Sequence, residues 1–319
     1  MNRTAFVFPG QGSQRVGMGR HLLAQRPDLV ETYYRTADDV LGIPLTRLSW
    51  HGPGRDLDDP AVSQPAVLLA GLVTLDVLRG QGVEPDAVAG HSLGEYAAMV
   101  AAGVLEWTDA LRLVRLRGEL IATVDDQVRG ATAAVLGLDR RVVARLCSEA
   151  AAATGRTVEI AGDNGPGQTV VSGQAEAVAR LMRAARAAGA VRVTELKAGG
   201  PFHSTLLSGI EAEFTEALIT TEFRDPEIEL VSSVTGARIS TAAGAIVALR
   251  SQLTSPVRWT EAVHVLGAAG VDRFVEAGPG LVLGGLVRRI APHARVHATN
   301  SARRLALTTA AFAVADSTV

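Results

Sequence analysis

Three short apolar runs in this chain each stop at a glycine turn, and that repeated pattern restricts the fold more than any other feature. Phe6-Val7-Phe8 runs into Pro9-Gly10-Gln11-Gly12, Ala87-Val88-Ala89 into Gly90-His91-Ser92, and Phe274-Val275-Glu276 into Ala277-Gly278-Pro279-Gly280. Each reads as a buried strand whose carboxyl end opens into a loop, which is where open α/β sheets place their ligands. Residues 61–81 and 95–120 carry apolar positions at helical spacing. A parallel sheet covered by helices follows.

The stretch from about Ala131 to Leu196 breaks the pattern. Ala133–Leu138 reads as a strand, Arg140–Ala153 as a helix, Val158–Ala161 and Gln168–Gly173 as two strands, Ala175–Ala188 as a helix and Ala190–Leu196 as a last strand. The order βαββαβ is the ferredoxin-like pattern. The expected architecture is therefore α/β. A large α/β-hydrolase-like domain with a parallel-sheet core is formed by residues 1–128 and 198–306, with a small ferredoxin-like subdomain inserted over 129–197. Residues 307–319, Ala/Thr-rich and weakly patterned, read as a loose helix or a C-terminal tail.

Bulk properties bound the function. The chain has 319 residues, 47% hydrophobic and 20% charged, enough to bury a sizeable core. A formal net charge of −2 excludes a general affinity for nucleic acid or anionic membrane. Cys147, the only cysteine, rules out an intramolecular disulfide and reads as a small core residue. The N-terminus lacks an apolar signal region, and no stretch reads as long and clean enough to span a bilayer. A cytoplasmic location without a membrane is expected.

Gly90-His91-Ser92-Leu93-Gly94 matches G-x-S-x-G, directly after a strand and before the helical run Glu95–Val100. The pentapeptide alone also fits an ordinary glycine turn; the strand before it and the helix after it favour a nucleophile elbow. There the serine hydroxyl stands at a helix N-terminus, where free N–H groups favour developing negative charge. Serine needs a base. Of the seven histidines, His91 adjoins the serine but should point away, and His21, His51, His264, His293 and His297 sit in helical or loop contexts. His203 differs: it follows Gly199-Gly200-Pro201-Phe202 at the end of the insert.

At these residues the chain resembles the malonyl-CoA:acyl carrier protein transacylases and the acyltransferase domains of polyketide synthases. Gly10-Gln11-Gly12-Ser13-Gln14, Gly90–Glu95, Leu116-Arg117-Gly118, Phe202-His203-Ser204, Gln252 with Ser255-Pro256-Val257-Arg258-Trp259, and Glu276–Gly280 follow the family's order and spacing. The resemblance implies Ser92 as nucleophile and His203 as base, with His203 oriented by a backbone carbonyl near Gln252 rather than by an acid. It implies an oxyanion hole from the backbone N–H groups of Gln11 and Leu93. Arg117 matches the residue that holds the malonyl carboxylate, a job for which a planar guanidinium suits and lysine does not. Phe202 goes with malonyl rather than methylmalonyl, and Gln64 and Asn164 match residues beside the pocket. Without the resemblance, Arg117 reads as a surface helix residue and Asn164 as a turn-former.

The implied function is transfer of malonyl from malonyl-CoA to the phosphopantetheine thiol of an acyl carrier protein, with no bound cofactor or metal. The segment around His203 looks closer to stand-alone enzymes of polyketide assembly than to the fatty-acid type. An acidic carrier helix calls for a basic rim, and Arg180, Arg183, Arg186 and Arg192 of the insert, with Arg288, Arg289, Arg303 and Arg304, are the candidates. The rivals are transfer of another acyl unit, an editing acyl hydrolase of the same fold, which Arg117 argues against, an α/β-hydrolase, which lacks a patterned late histidine, and a silent carrier-binding scaffold, which intact Ser92 and His203 oppose.

Overall fold

The computed structural model describes residues 3–196 and 200–316. Eleven strands occur among them: β1 Arg3–Phe8, β2 Ala87–Gly90, β3 Gly130–Leu136, β4 Val158–Gly165, β5 Gln168–Gln174, β6 Arg192–Glu195, β7 Glu229–Ser232, β8 Arg238–Ile239, β9 Val257–Arg258, β10 Val271–Glu276 and β11 Arg295–Ala298. They form two sheets, in the orders β11-β10-β1-β2-β7-β8 and β6-β3-β5-β4-β9.

The large sheet is parallel except where β8 turns back on β7. Its central strand explains the apolar runs. On β1, Phe6 and Phe8 enter one core while Ala5 and Val7 enter another, so the sheet is covered on both faces and its strands are apolar throughout. β1 lies between β2 and β10, so the loops after β1 and β2 emerge side by side at a switch point in strand order.

Helix Pro60–Arg79 starts where Asp59 accepts a hydrogen bond from the Ala61 N–H and Pro60 fills the first turn. By length and composition it could cross a membrane, against the sequence expectation, yet nearly all of it is buried in the larger core. The helical pattern over 95–120 resolves into two helices, Gly94–Ala101 and Trp107–Val128.

The insert has the expected βαββαβ order, antiparallel throughout. One feature was not foreseen: β9, from the chain beyond the insert, joins its sheet by pairing parallel to β4. Alternation along β3 assigns the two faces. Ala131, Ala133 and Val135 pack under helices Arg140–Thr154 and Ala175–Ala187, with Cys147 buried there and its thiol pushed up to about 12 by burial. Thr132 and Ala134 face the opposite way, toward the large domain's loops. The expected boundary at 197/198 lies outside the described residues, as do 317–319 of the expected tail. Residues 307–316 take the helical alternative rather than the tail, continuing helix Ala302–Asp316, in which Leu305 is buried in the larger core and Thr308 Oγ1 donates to the Ala298 carbonyl of β11 at 2.9 Å.

Candidate active site

The turn after β2 is as cramped as the motif suggests. A Cβ on Gly94 would lie 2.0 Å from the Phe8 carbonyl oxygen, and one on Gly90 would lie 1.9 Å from the Gly94 carbonyl carbon. Only glycine fits there, so β2 can run beside β1 and turn at once into helix Gly94–Ala101. Ser92 pays for the turn with φ of 53°, in the left-handed region. His203 has φ of 55°, and Arg129 is the only other non-glycine residue with positive φ among those described. Strain of this kind persists where the surroundings over-determine it, and it concentrates at functional sites.

These two residues meet. Ser92 Oγ lies 2.7 Å from His203 Nε2, and His203 Nδ1 lies 3.0 Å from the Ser255 carbonyl oxygen. A carbonyl can only accept, so Nδ1 carries the ring proton and Nε2 is free to accept from the serine. Burial, with the charge of Arg117 and the neighbouring His91, pushes His203 down to about 3, against the opposing pull of the Ser255 and Gln252 carbonyls. The ring is therefore neutral and able to take a proton.

The orienting carbonyl at 3.0 Å is that of Ser255, three residues beyond Gln252, and the Gln252 carbonyl acts on the ring as well. The Gln252 side chain turns to the serine's own backbone: Nε2 donates to the Ser92 carbonyl at 3.1 Å and, in a short contact, to Glu95 Oε2. The Ser92 N–H donates to Ser233 Oγ at 3.3 Å, and the Ser233 N–H donates to Glu95 Oε1 at 2.9 Å.

Ser92 and His203 open into a cavity of about 100 Å³, also lined by Gln11, His91, Asn164 and Phe202. It continues into an outer cleft of about 420 Å³ between the Pro9–Gln14 loop, Gln168 and Val282-Leu283. Asn164 stands on β4 rather than in a turn, and its Oδ1 lies 2.8 Å from His91 Nε2. His91 was expected to point away from the site; it lines both cavities, edge-on to Trp259.

Arg117, Gln64 and Leu93 are buried behind this lining. Leu93 directly precedes helix Gly94–Ala101, beside the serine. Arg117 Nη1 donates to Gln64 Oε1 at 2.9 Å, and Gln64 Nε2 to Gln11 Oε1 at 3.3 Å, a chain that ends at the cavity wall. Arg117 is only 1% exposed, yet its Nε and Nη2 have no hydrogen-bond partner among the described residues. Those two atoms form one edge of the guanidinium fork. A buried cation with an unmatched donor pair is costly unless an anion meets it.

Glu276, which ends β10, has a structural role in its turn: its carboxylate accepts from the backbone N–H groups of Leu283 and Gly284 at 3.1 and 2.8 Å. Sequence reasoning placed the orienting carbonyl near Gln252 without naming Ser255, and missed the His91–Asn164 pair and the contacts of Glu95 and Ser233. Only Glu95 carried a signal, as the last residue of the G-H-S-x-G-E stretch.

The family model described as acyl transferase domain matches residues 5–298. The malonyl CoA-acyl carrier protein transacylase of Escherichia coli (strain K12) is 40% identical over 96% of this chain and 98% of its own length. That of Bacillus subtilis (strain 168) is 38% identical over 91% of each. An acyl carrier protein S-malonyltransferase from Vibrio cholerae superposes with a TM-score of 0.89 at 38% identity, over 96% of this chain and 100% of its own. A malonyl-transacylase solved in complex with its type II polyketide-synthase acyl-carrier protein gives 0.92 at 38% identity, over 97% and 99%. Matched over nearly its whole length by sequence and by fold, this chain belongs to the malonyl-CoA:acyl carrier protein transacylase family of acyltransferases.

Proposed function

We propose that the protein moves a malonyl group from malonyl-CoA to the phosphopantetheine thiol of an acyl carrier protein through a malonyl ester on Ser92. The observation that carries this reading is the unmatched edge of the buried Arg117, whose Nε and Nη2 suit the two oxygens of a carboxylate. An acetyl group offers nothing to that edge.

Ser92 Oγ attacks the thioester carbonyl while His203 Nε2 accepts its proton at 2.7 Å. The Ser255 carbonyl holds the imidazolium that forms, so the pair acts as a dyad without a carboxylate. The backbone N–H groups of Gln11 and Leu93 receive the oxyanion, a donor of this kind being worth about 2.7–4 kcal/mol. His203 then returns the proton to the sulfur of coenzyme A as the carbon–sulfur bond breaks. The carrier thiol enters by the same cleft and reverses these steps. Phe202, buried against the cavity, fills the space beside the acyl α-carbon.

The reading includes no bound cofactor, a cytosolic setting, and a carrier from a polyketide or fatty-acid synthase, the residues before His203 favouring the former. Intact-mass analysis after mixing with malonyl-CoA alone should show one malonyl adduct, absent in Ser92→Ala. No adduct on the wild type, or the same adduct on Ser92→Ala, would sink it.

A further inference from the structure

Glu95 takes no place in the chemistry above, yet it is fully buried one turn from the nucleophile. Its two carboxylate oxygens have different partners. Oε1 accepts from the Ser233 N–H, and Ser233 in turn accepts from the Ser92 N–H; Oε2 accepts from Gln252 Nε2, which also reaches the Ser92 carbonyl. The peptide groups on both sides of Ser92 are thus tied, through one intermediary each, to a single carboxylate. We infer that Glu95 is a positioning residue that holds the left-handed backbone of Ser92, and with it the line from Oγ to His203, in attacking geometry.

The physical case rests on the strain. A non-glycine residue at φ of 53° relaxes unless both adjoining peptides are held. A hydroxyl and an amide would hold them loosely if left to rotate. A buried carboxylate fixes the backbone that carries the Ser233 hydroxyl by accepting from the Ser233 N–H, and fixes the Gln252 amide by accepting from its Nε2; charge-assisted hydrogen bonds are roughly twice as strong as neutral ones. The arrangement requires the ionised form, because a protonated oxygen presents a hydrogen to one of the donors. Burial raises Glu95 to about 7, opposed by its hydrogen bonds with Ser232, Gln252 and Ser233 and by the charge of Arg117. Arg117, on helix Trp107–Val128, and Tyr96, beside Glu95 on its own helix, are the ionisable groups that face it; Ser232, Ser233 and Gln252 contribute only uncharged ones.

The inference rests on Ser92 being the nucleophile, and one experiment separates the two. Single-turnover formation of the malonyl adduct is followed by rapid quench and intact mass, per folded protein, for the wild type, Glu95→Gln, Ser233→Ala and the double variant. A wild type that forms no adduct overturns the assignment of Ser92 and leaves this inference without its basis. Given a wild-type adduct, Glu95→Gln should slow its formation roughly ten- to a hundredfold, with malonyl-CoA half-saturation changed less than twofold. The wild-type rate constant should fall as pH drops through about 7, where Glu95 gains its proton. In Glu95→Gln that limb should vanish, because His203 stays neutral far below the ordinary imidazole range. Ser233→Ala should show a smaller loss that does not add to that of Glu95→Gln. An adduct rate within twofold of wild type in Glu95→Gln, a loss that matches the fall in folded protein, or a limb near pH 7 that survives the substitution overturns the inference.

Discussion

The two walls of the cleft are held in different ways. On the large-sheet wall, Ser92 is fixed by backbone contacts that admit no side chain, by following a strand paired with parallel neighbours on both sides, and by hydrogen bonds to both of its peptide groups. On the insert wall, Thr132, Ala161, Gly162 and Val170 present small, mostly apolar surfaces. That wall is tied to the large domain at scattered points: β9 against β4, Asn164 to His91, the Thr205 N–H to Glu159 Oε2 at 2.9 Å, and Thr260 Oγ1 to Asp163 Oδ1 at 3.0 Å. The first wall is held by backbone contacts and hydrogen bonds at the reacting residue itself, the second by ties at its margins.

The contrast breaks most sharply at Gly94. A methyl group there would sit 2.0 Å from a backbone oxygen of the central strand, so either the strand or the elbow must move. Gly94→Ala should destabilise by about 3 kcal/mol, the upper end for overpacking, and should lower Ser92 loading more than a hundredfold in whatever protein folds. Chemical denaturation and adduct formation measure the two losses; a variant that loads normally would show the elbow to be as adaptable as the insert.

Arg117 lies on the large-domain side and should affect choice of substrate rather than chemistry. Arg117→Ala should lower malonyl loading about ten- to a hundredfold, since a hydrogen bond to a charged group contributes about 1.5–3 kcal/mol, while acetyl loading from acetyl-CoA holds or rises. Equal losses on both substrates would mean that the unmatched edge of Arg117 does not meet the carboxylate.

Much of this fold is local information, and the sequence showed it: apolar runs ending in glycine for the parallel sheet, and a change of rhythm for the insert. Ser92 and His203 stood out because each lies in a segment whose backbone-shaping residues have no other use. What stayed hidden depends on long separations. The Ser255 carbonyl is anonymous in sequence, being a backbone atom that any residue could supply. Gln252 and Ser92 are 160 residues apart, and no periodicity links them. β9 has only two residues, too few to show alternation, so its entry into the insert sheet was invisible. Whether Pro60–Arg79 is a core helix, and whether residues 307–316 are a docked helix or a tail, turns on what covers them, which composition does not record.

The smallest expected effect concerns the basic rim, and here the two faces of the insert sheet decide. Helix Ala175–Ala187 carries Arg180 and Arg183, and both line a groove with Leu146, Glu149 and Ala184 between the insert's two helices. That groove is on the face of the sheet that holds Ala133 and Val135, away from the cleft lined by Thr132 and Ala134. The sequence expectation that these arginines meet the carrier at the cleft mouth therefore fails on placement. Arg289 is better sited, because it bonds Gln168 Oε1 at the edge of the outer cleft. Reversing charge at Arg180 and Arg183 should change transfer to carrier protein less than twofold and leave Ser92 loading untouched. Arg289→Glu should slow transfer several-fold at low salt, with the gap closing as salt rises, because rim charges act on association and are screened within about 10 Å at 0.1 M. If the Arg180 and Arg183 reversals prove the more damaging, the carrier approaches across the helical face of the insert rather than over the cleft.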